Sequence, residues 1–159
     1  MPTVRRYHVE KDSINGSDHI IDSSIPYTKL ESNTIVLVIP IIGVHDQTGL
    51  AADSTGVKYE GPRFKIYTRH LKEAVLRATW SASHSDSVTA IELYDVTAGA
   101  VRGSLSGNSG TDEETSITVS DLVDGHLHEI RVNVTTASAT SGATTDVKYA
   151  ILELKYGVS

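Results

Sequence analysis

The segment from Leu127 to Tyr156 constrains the fold most, because two stretches within it are written with period two. From Leu127 to Thr135, Ile130, Val132 and Val134 share one face while Glu129, Arg131, Asn133 and Thr135 share the other, which is the pattern of a strand with one dry and one wet side. From Asp146 to Tyr156 the alternation starts with Val147, Tyr149 and Ile151, but Leu152 and Leu154 then take the opposite face. That switch predicts either a bulge or a strand covered on both sides, as an inner strand of a sandwich is. The residues between, Ala137 to Thr145, are small and polar and suit a turn or long hairpin loop.

Upstream, the most apolar segment, Ile35 to Val44, predicts a strand covered on both faces, with Pro40 marking a bulge, an edge or a break. His45 to Gly56 reads as a loop. Val57 to Tyr59 and Arg63 to Arg69 read as strand on either side of a Gly61-Pro62 turn, with Phe64 and Ile66 inward and Tyr67 outward. Leu71 to Ala78 has a composition that helices favour, yet Ala74, Leu76, Ala78 and Trp80 fall on one face at period two, so a strand is expected. Val88 to Asp95 and Ala100 to Leu105 form a hairpin about Thr97-Ala98-Gly99. Gly107 to Asp112 reads as a loop, Glu114 to Ser120 as a strand with Ile117 and Val119 inward, and Asp121 to Gly125 as a short helical turn.

Many short strands with almost no helix predict an all-β fold, an antiparallel two-sheet β-sandwich with jelly-roll the preferred topology. It spans residues 34–159 as one domain, a size that 159 residues suit. Residues 1–33 differ. They are polar and read as an N-terminal arm or a first strand of the same domain. Within them Thr3, Val4, Arg5, Arg6, Tyr7, His8, Val9 and Glu10 can extend as a strand but carry too little apolar surface to anchor themselves. Such a segment orders by adding to a sheet edge, its own or a neighbour's.

The formal charge of −6 argues against a nucleic-acid partner, since backbone binding rests on Lys and Arg displacing counterions. With no cysteine, disulfides and thiolate metal sites are excluded. Met1 to Tyr7 is followed by no apolar run, so no signal peptide is expected in this chain. Ile35 to Val44 is too short for a membrane span and contains Pro40 and Gly43.

Chemistry-bearing residues do not assemble into a catalytic motif: no Gly-x-Ser-x-Gly, no phosphate-cradling glycine loop, and no pair of acids singled out by spacing among 20. An enzyme is therefore not expected. His126-x-His128 places two rings on one face of a strand, a spacing a metal can use, but no third ligand stands out, and exposed strand histidines are the plainer expectation. His8, His19, His45, His70 and His84 carry no pattern. Asp46, Asp53, Asp112, Glu113 and Glu114 offer oxygens for a structural calcium, without the spacing of a known calcium loop; solvated loop acids are expected, and no cofactor. Trp80 could stack on a sugar, although its stripe with Ala74, Leu76 and Ala78 marks it as core; Tyr67 and Tyr94 are the other candidates for glycan binding.

From Thr79 to Tyr156 the order of features resembles that of single jelly-roll modules. These features are the Trp80 strand, Ile91-Glu92-Leu93-Tyr94-Asp95 with its glycine turn, Asp121-Leu122-Val123-Asp124-Gly125, Glu129 to Val134, and Ala150 to Leu154. Such modules serve as carbohydrate-binding domains of glycosidases and as virion capsid, turret and fibre-head subunits. The resemblance implies the fold and two kinds of role. One is a self-assembling homo-oligomer in a virion or extracellular filament, joined by its arm, with other virion or filament proteins as further partners. The alternative is a carbohydrate-binding module or receptor-binding head.

Overall fold

The computed structural model describes the backbone of residues 35–42 and, with side chains, residues 47–157. The expected arm, Thr3 to Glu10, lies outside the described residues, as does Asp46. The strands are β1 (Ile35–Ile42), β2 (Gln47–Ala51), β3 (Gly56–Glu60), β4 (Phe64–Lys65), β5 (Leu71–Ala82), β6 (Val88–Asp95), β7 (Ala100–Gly107), β8 (Ser109–Ile117), β9 (Leu127–Thr136) and β10 (Thr144–Tyr156). One sheet runs β1-β10-β5-β8 with β2 also on β10, and the other β3-β9-β6-β7 with β4 also on β9. Every pairing is antiparallel. With β2 and β4 set aside, each strand crosses to the other sheet except at the β6–β7 hairpin, which stays within one sheet, and this is jelly-roll order.

The doubtful alternation in the last strand resolves as a bulge. Pairing of β10 with β5 slips between Val147 and Tyr149, so Val147 turns inward together with Ala150, Leu152 and Leu154, all four buried. The strand is also an inner one, with β1 and β2 along one side and β5 along the other. Facing it from β5 are Ala74, Leu76, Ala78 and Trp80, and from the second sheet Ile91, Leu93, Ile130 and Val132, which together form a single core.

Elsewhere the strand limits move. Gln47 to Ala51, expected as loop, is β2, because β10 beyond its bulge offers it Thr144, Thr145 and Val147 as partners. β8 starts at Ser109 inside the expected loop and stops at Ile117; Val119 opens a 3-10 turn, Val119–Asp121, instead of extending the strand. The expected strand from Arg63 to Arg69 shrinks to Phe64–Lys65, although Ile66 is buried and Tyr67 exposed as anticipated.

The early start of β8 follows from Trp80, which pairs with Gly110. A Cβ on Gly110 would lie 2.4 Å from two carbons of the indole, so only glycine lets the backbone cross the ring at that height. The indole Nε1 donates to the Gly107 carbonyl at 3.1 Å, which satisfies the one polar atom of the buried ring. Gly110→Ala is expected to destabilise the domain by about 1–3 kcal/mol, the usual cost of overpacking. Urea unfolding followed by fluorescence of the sole tryptophan measures it.

Candidate functional site

Sheet edges are the first place to look, because an unpaired edge is a template for another strand. The one charge of β7, Arg102, is taken up by Asp95, whereas β8 carries Asp112, Glu113 and Glu114, and β3 carries Lys58 and Glu60 beside a register slip. Charges of this kind blunt an edge. β1 reads Ile-Val-Leu-Val-Ile-Pro-Ile-Ile with no charge, and it pairs only with β10 among the described residues. Its register is regular from Ile35 to Pro40 and slips before Ile42. Among the described residues Pro40 thus sits at an edge and at a bulge, two settings that tolerate a residue without an N–H.

A second cluster closes one end of the sandwich. Asp95, the last residue of β6, is fully buried and stands opposite His128 of β9. Its Oδ1 accepts the Ala98 N–H at 2.9 Å while its carbonyl accepts the Gly99 N–H at 2.8 Å. Gly99 completes the turn at φ 69°, a conformation glycine adopts without strain. Oδ2 accepts Arg102 Nη2 at 2.8 Å and Nε at 3.2 Å, and His126 Nδ1 at 3.0 Å. Burial alone pushes the Asp95 carboxyl up, but the Ala98 amide, Arg102 and His126 outweigh it and hold the group well below the ordinary carboxylate range.

His128 was expected on an exposed face and is instead fully buried, because it follows the inward-facing parity of Ile130 and Val132. Phe64 stacks on its ring with centroids 6.4 Å apart. Its Nδ1 lies 3.0 Å from the His126 carbonyl; a carbonyl only accepts, so Nδ1 carries the proton and Nε2 presents a lone pair. That Nε2 is buried with no hydrogen-bond partner, and the nearest carboxylate oxygen, Asp95 Oδ2, is 3.9 Å away. Burial pulls the His128 pKa below the usual histidine value, and the His126 carbonyl and Asp95 do not restore it.

The outer face of the second sheet carries a polar network whose centre, at Glu129 and Glu92, is buried. Glu129 is buried under Arg63 (3.1 Å) and Arg131 (2.6 Å), and Arg131 also reaches Glu60 at 3.3 Å. Its guanidinium lies 3.3 Å from the centroid of the Tyr94 ring, a cation–π contact that occupies one face of that ring. Asn133 donates to Glu92 at 3.1 Å. Of the three aromatic candidates for sugar stacking, Trp80 is thus enclosed in the core and Tyr94 has one face taken. Tyr67, 58% exposed beside Gly125, is open.

Among the proposed calcium oxygens that are described, Asp112 and Glu114 meet at Arg77. Asp53 accepts the Gly142 N–H, whereas Asp112 is held by the Tyr149 hydroxyl and Arg77, and Glu114 by Arg77 at 2.6 Å. Among the described residues no group of three or more His, Cys, Asp or Glu is arranged to hold a metal ion. The His126 and His128 rings do approach one carboxylate, yet Arg102 already supplies that carboxylate with a cation. Sequence reasoning flagged the histidine pair but missed Asp95 and Arg102, whose part in it depends on strand register.

The described residues form a jelly-roll β-sandwich in which the uncharged strand β1 pairs on one side and one end is closed by buried ionisable groups. No protein family matches the sequence, and no curated protein matches it. Among solved structures, a family two carbohydrate esterase from Cellvibrio japonicus overlays on 77% of this chain and 34% of its own at 11% identity and a TM-score of 0.30. At those values the overlay carries no functional argument.

Asp95→Ala is expected to cost about 3 kcal/mol, the low end for breaking a buried ion pair, because Arg102 and His126 retain some access to water. The carboxylate titrates lower folded than unfolded, so its contribution is complete above about pH 4 and fades as acid approaches the folded value. Thermal unfolding from neutral to strongly acid pH should therefore fall less steeply in the variant.

Proposed function

We propose that the protein is a non-enzymatic structural subunit that self-assembles, in a virion shell, turret or fibre or in an extracellular filament, by strand addition at the edge of β1. One observation carries this reading: the most apolar segment of the chain forms a strand, β1, that pairs on one side only among the described residues, while the edge strand β8 carries Asp112, Glu113 and Glu114. A soluble protein that keeps such an edge unblunted has a strand to put there. The donor in this reading is Thr3 to Glu10 of a neighbouring copy, whose polar side chains suit an outer strand that is wet on one face.

Deleting residues 1–30 should leave a folded domain, with its strand-rich circular dichroism intact, that light scattering finds monomeric while the full chain forms particles or rods. A full chain that is itself monomeric, or a truncated one that keeps the same oligomer, overturns the mechanism. A carbohydrate-binding module is the competing class, and the exposure of Tyr67 favours it. Saturable glycan binding that Tyr67→Ala abolishes, by a protein that forms no particles, would replace the assembly reading.

A further inference from the structure

The orphaned Nε2 of His128 has no structural use in the neutral state, and that makes its surroundings informative. Every charged or titratable group recorded around the ring meets at Asp95: Asp95 itself from β6, Arg102 from β7 and His126 from the segment before β9, with Phe64 of β4 closing the remaining side. With His128 neutral, the Asp95 carboxylate faces the guanidinium of Arg102. A proton on Nε2 would add a second buried cation and would create the N–H donor that Asp95 Oδ2, 3.9 Å away, can accept. Oδ2 already accepts two N–H groups of Arg102 and shares His126 Nδ1 with Oδ1, which lies 3.2 Å from it, so a new imidazolium at Oδ2 competes first with Arg102. Arg102 and His126 are the partners that can leave, being 19% and 25% exposed against none for His128.

We propose that Asp95 and His128 form an acid-operated latch: below neutral pH, protonated His128 takes Asp95 from Arg102 and loosens the β6–β7 turn at this end of the sandwich. The turn is held at just these points. Ala98 and Gly99 donate to Asp95, Leu127 donates to Thr97 Oγ1 at 3.0 Å, and Val96 donates to the Leu127 carbonyl at 2.8 Å. Freed Arg102 lies where the pairing of β6 with β7 slips, between Leu93 and Tyr94, so little ladder resists its movement. The latch stands on this cluster alone and does not require that the chain assemble.

The sign follows from the burial of the ring. His128 binds its proton less readily folded than unfolded. Stability is complete above the unfolded histidine value, about 6.5, and declines as pH falls from there to the folded value. Each unit of depression favours the open form about tenfold.

Hydrogen exchange of the Ala98, Gly99 and Leu127 amides, corrected for intrinsic rates, tests this between about pH 7.5 and about pH 5. In the native protein these amides should lose about tenfold or more in protection on acidification, while those of the β5–β10 ladder do not. His128→Gln, which cannot take a proton, should abolish the loss, and His126→Gln should retain it. An equal loss in His128→Gln, or none in the native protein, overturns the latch. Should His128→Gln fail to fold, an NMR titration of the native His128 ring decides: protonation without movement of the Ala98 and Gly99 amides overturns it, and coincident midpoints support it.

Discussion

The structure depends on the slip between Val147 and Tyr149 in β10. A strand's side chains alternate, so a one-residue change of register sends a whole hydrophobic set to the opposite face. With the bulge, Val147 joins Ala150, Leu152 and Leu154 in the core; without it, either Val147 or the three that follow would face water. On its other side β10 pairs Thr144 and Thr145 with β2 across a slip of its own between Thr145 and Val147, while Thr145 meets Ala82 of β5. β10 is thereby the common partner of β1, β2 and β5, and the edge that β1 presents exists because β10 lays it down.

Polar groups close the sandwich at both ends of this apolar middle, by different means. At one end Thr89 of β6 donates to Thr145 of β10 at 3.0 Å, joining the sheets through two fully buried hydroxyls. At the other end the Asp95 cluster ties β6, β7 and the entry to β9 together within one sheet. The hydroxyl pair carries no charge and is indifferent to pH. The carboxylate is stable only while its cations stay, since a buried charge left unpaired costs several kcal/mol. The two closures therefore differ in kind: the Asp95 cluster depends on the charge of its members and the hydroxyl pair does not.

Sandwich, core stripe and inner strand were legible in the sequence wherever alternation ran undisturbed, as in Ala74-Leu76-Ala78-Trp80 and Ile130-Val132-Val134. Segments whose structure is borrowed from a partner were not. Gln47 to Ala51 has no alternation and is a strand because β10 is beside it, and Ser109 to Gly110 extends because Trp80 offers a flat surface. At the candidate site the wet face of β9 was readable as Glu129, Arg131 and Asn133, but the burial of Glu129 within it was not. It comes from Arg63, distant in sequence, reaching over Glu129, and from Arg131 lying on Tyr94. Likewise a histidine pair two residues apart is visible in a string of letters, whereas the aspartate across the ladder is not.

The length of β1 also limits the kind of assembly that the proposed strand addition can make. The regular part of β1 ends at Pro40, so an added strand has a short ladder, and each backbone bond contributes about 1 kcal/mol net. A contact of that size is weak for a single pair of molecules. In the proposed assembly, however, each copy gives an arm and receives one at a different surface, which is a heterologous contact. Such contacts close into rings or run on as helical filaments, while a self-complementary patch would stop at a dimer. Repetition along a ring or filament lets individually weak ladders act together, which is why an uncharged edge of modest length is enough for a subunit of a larger body.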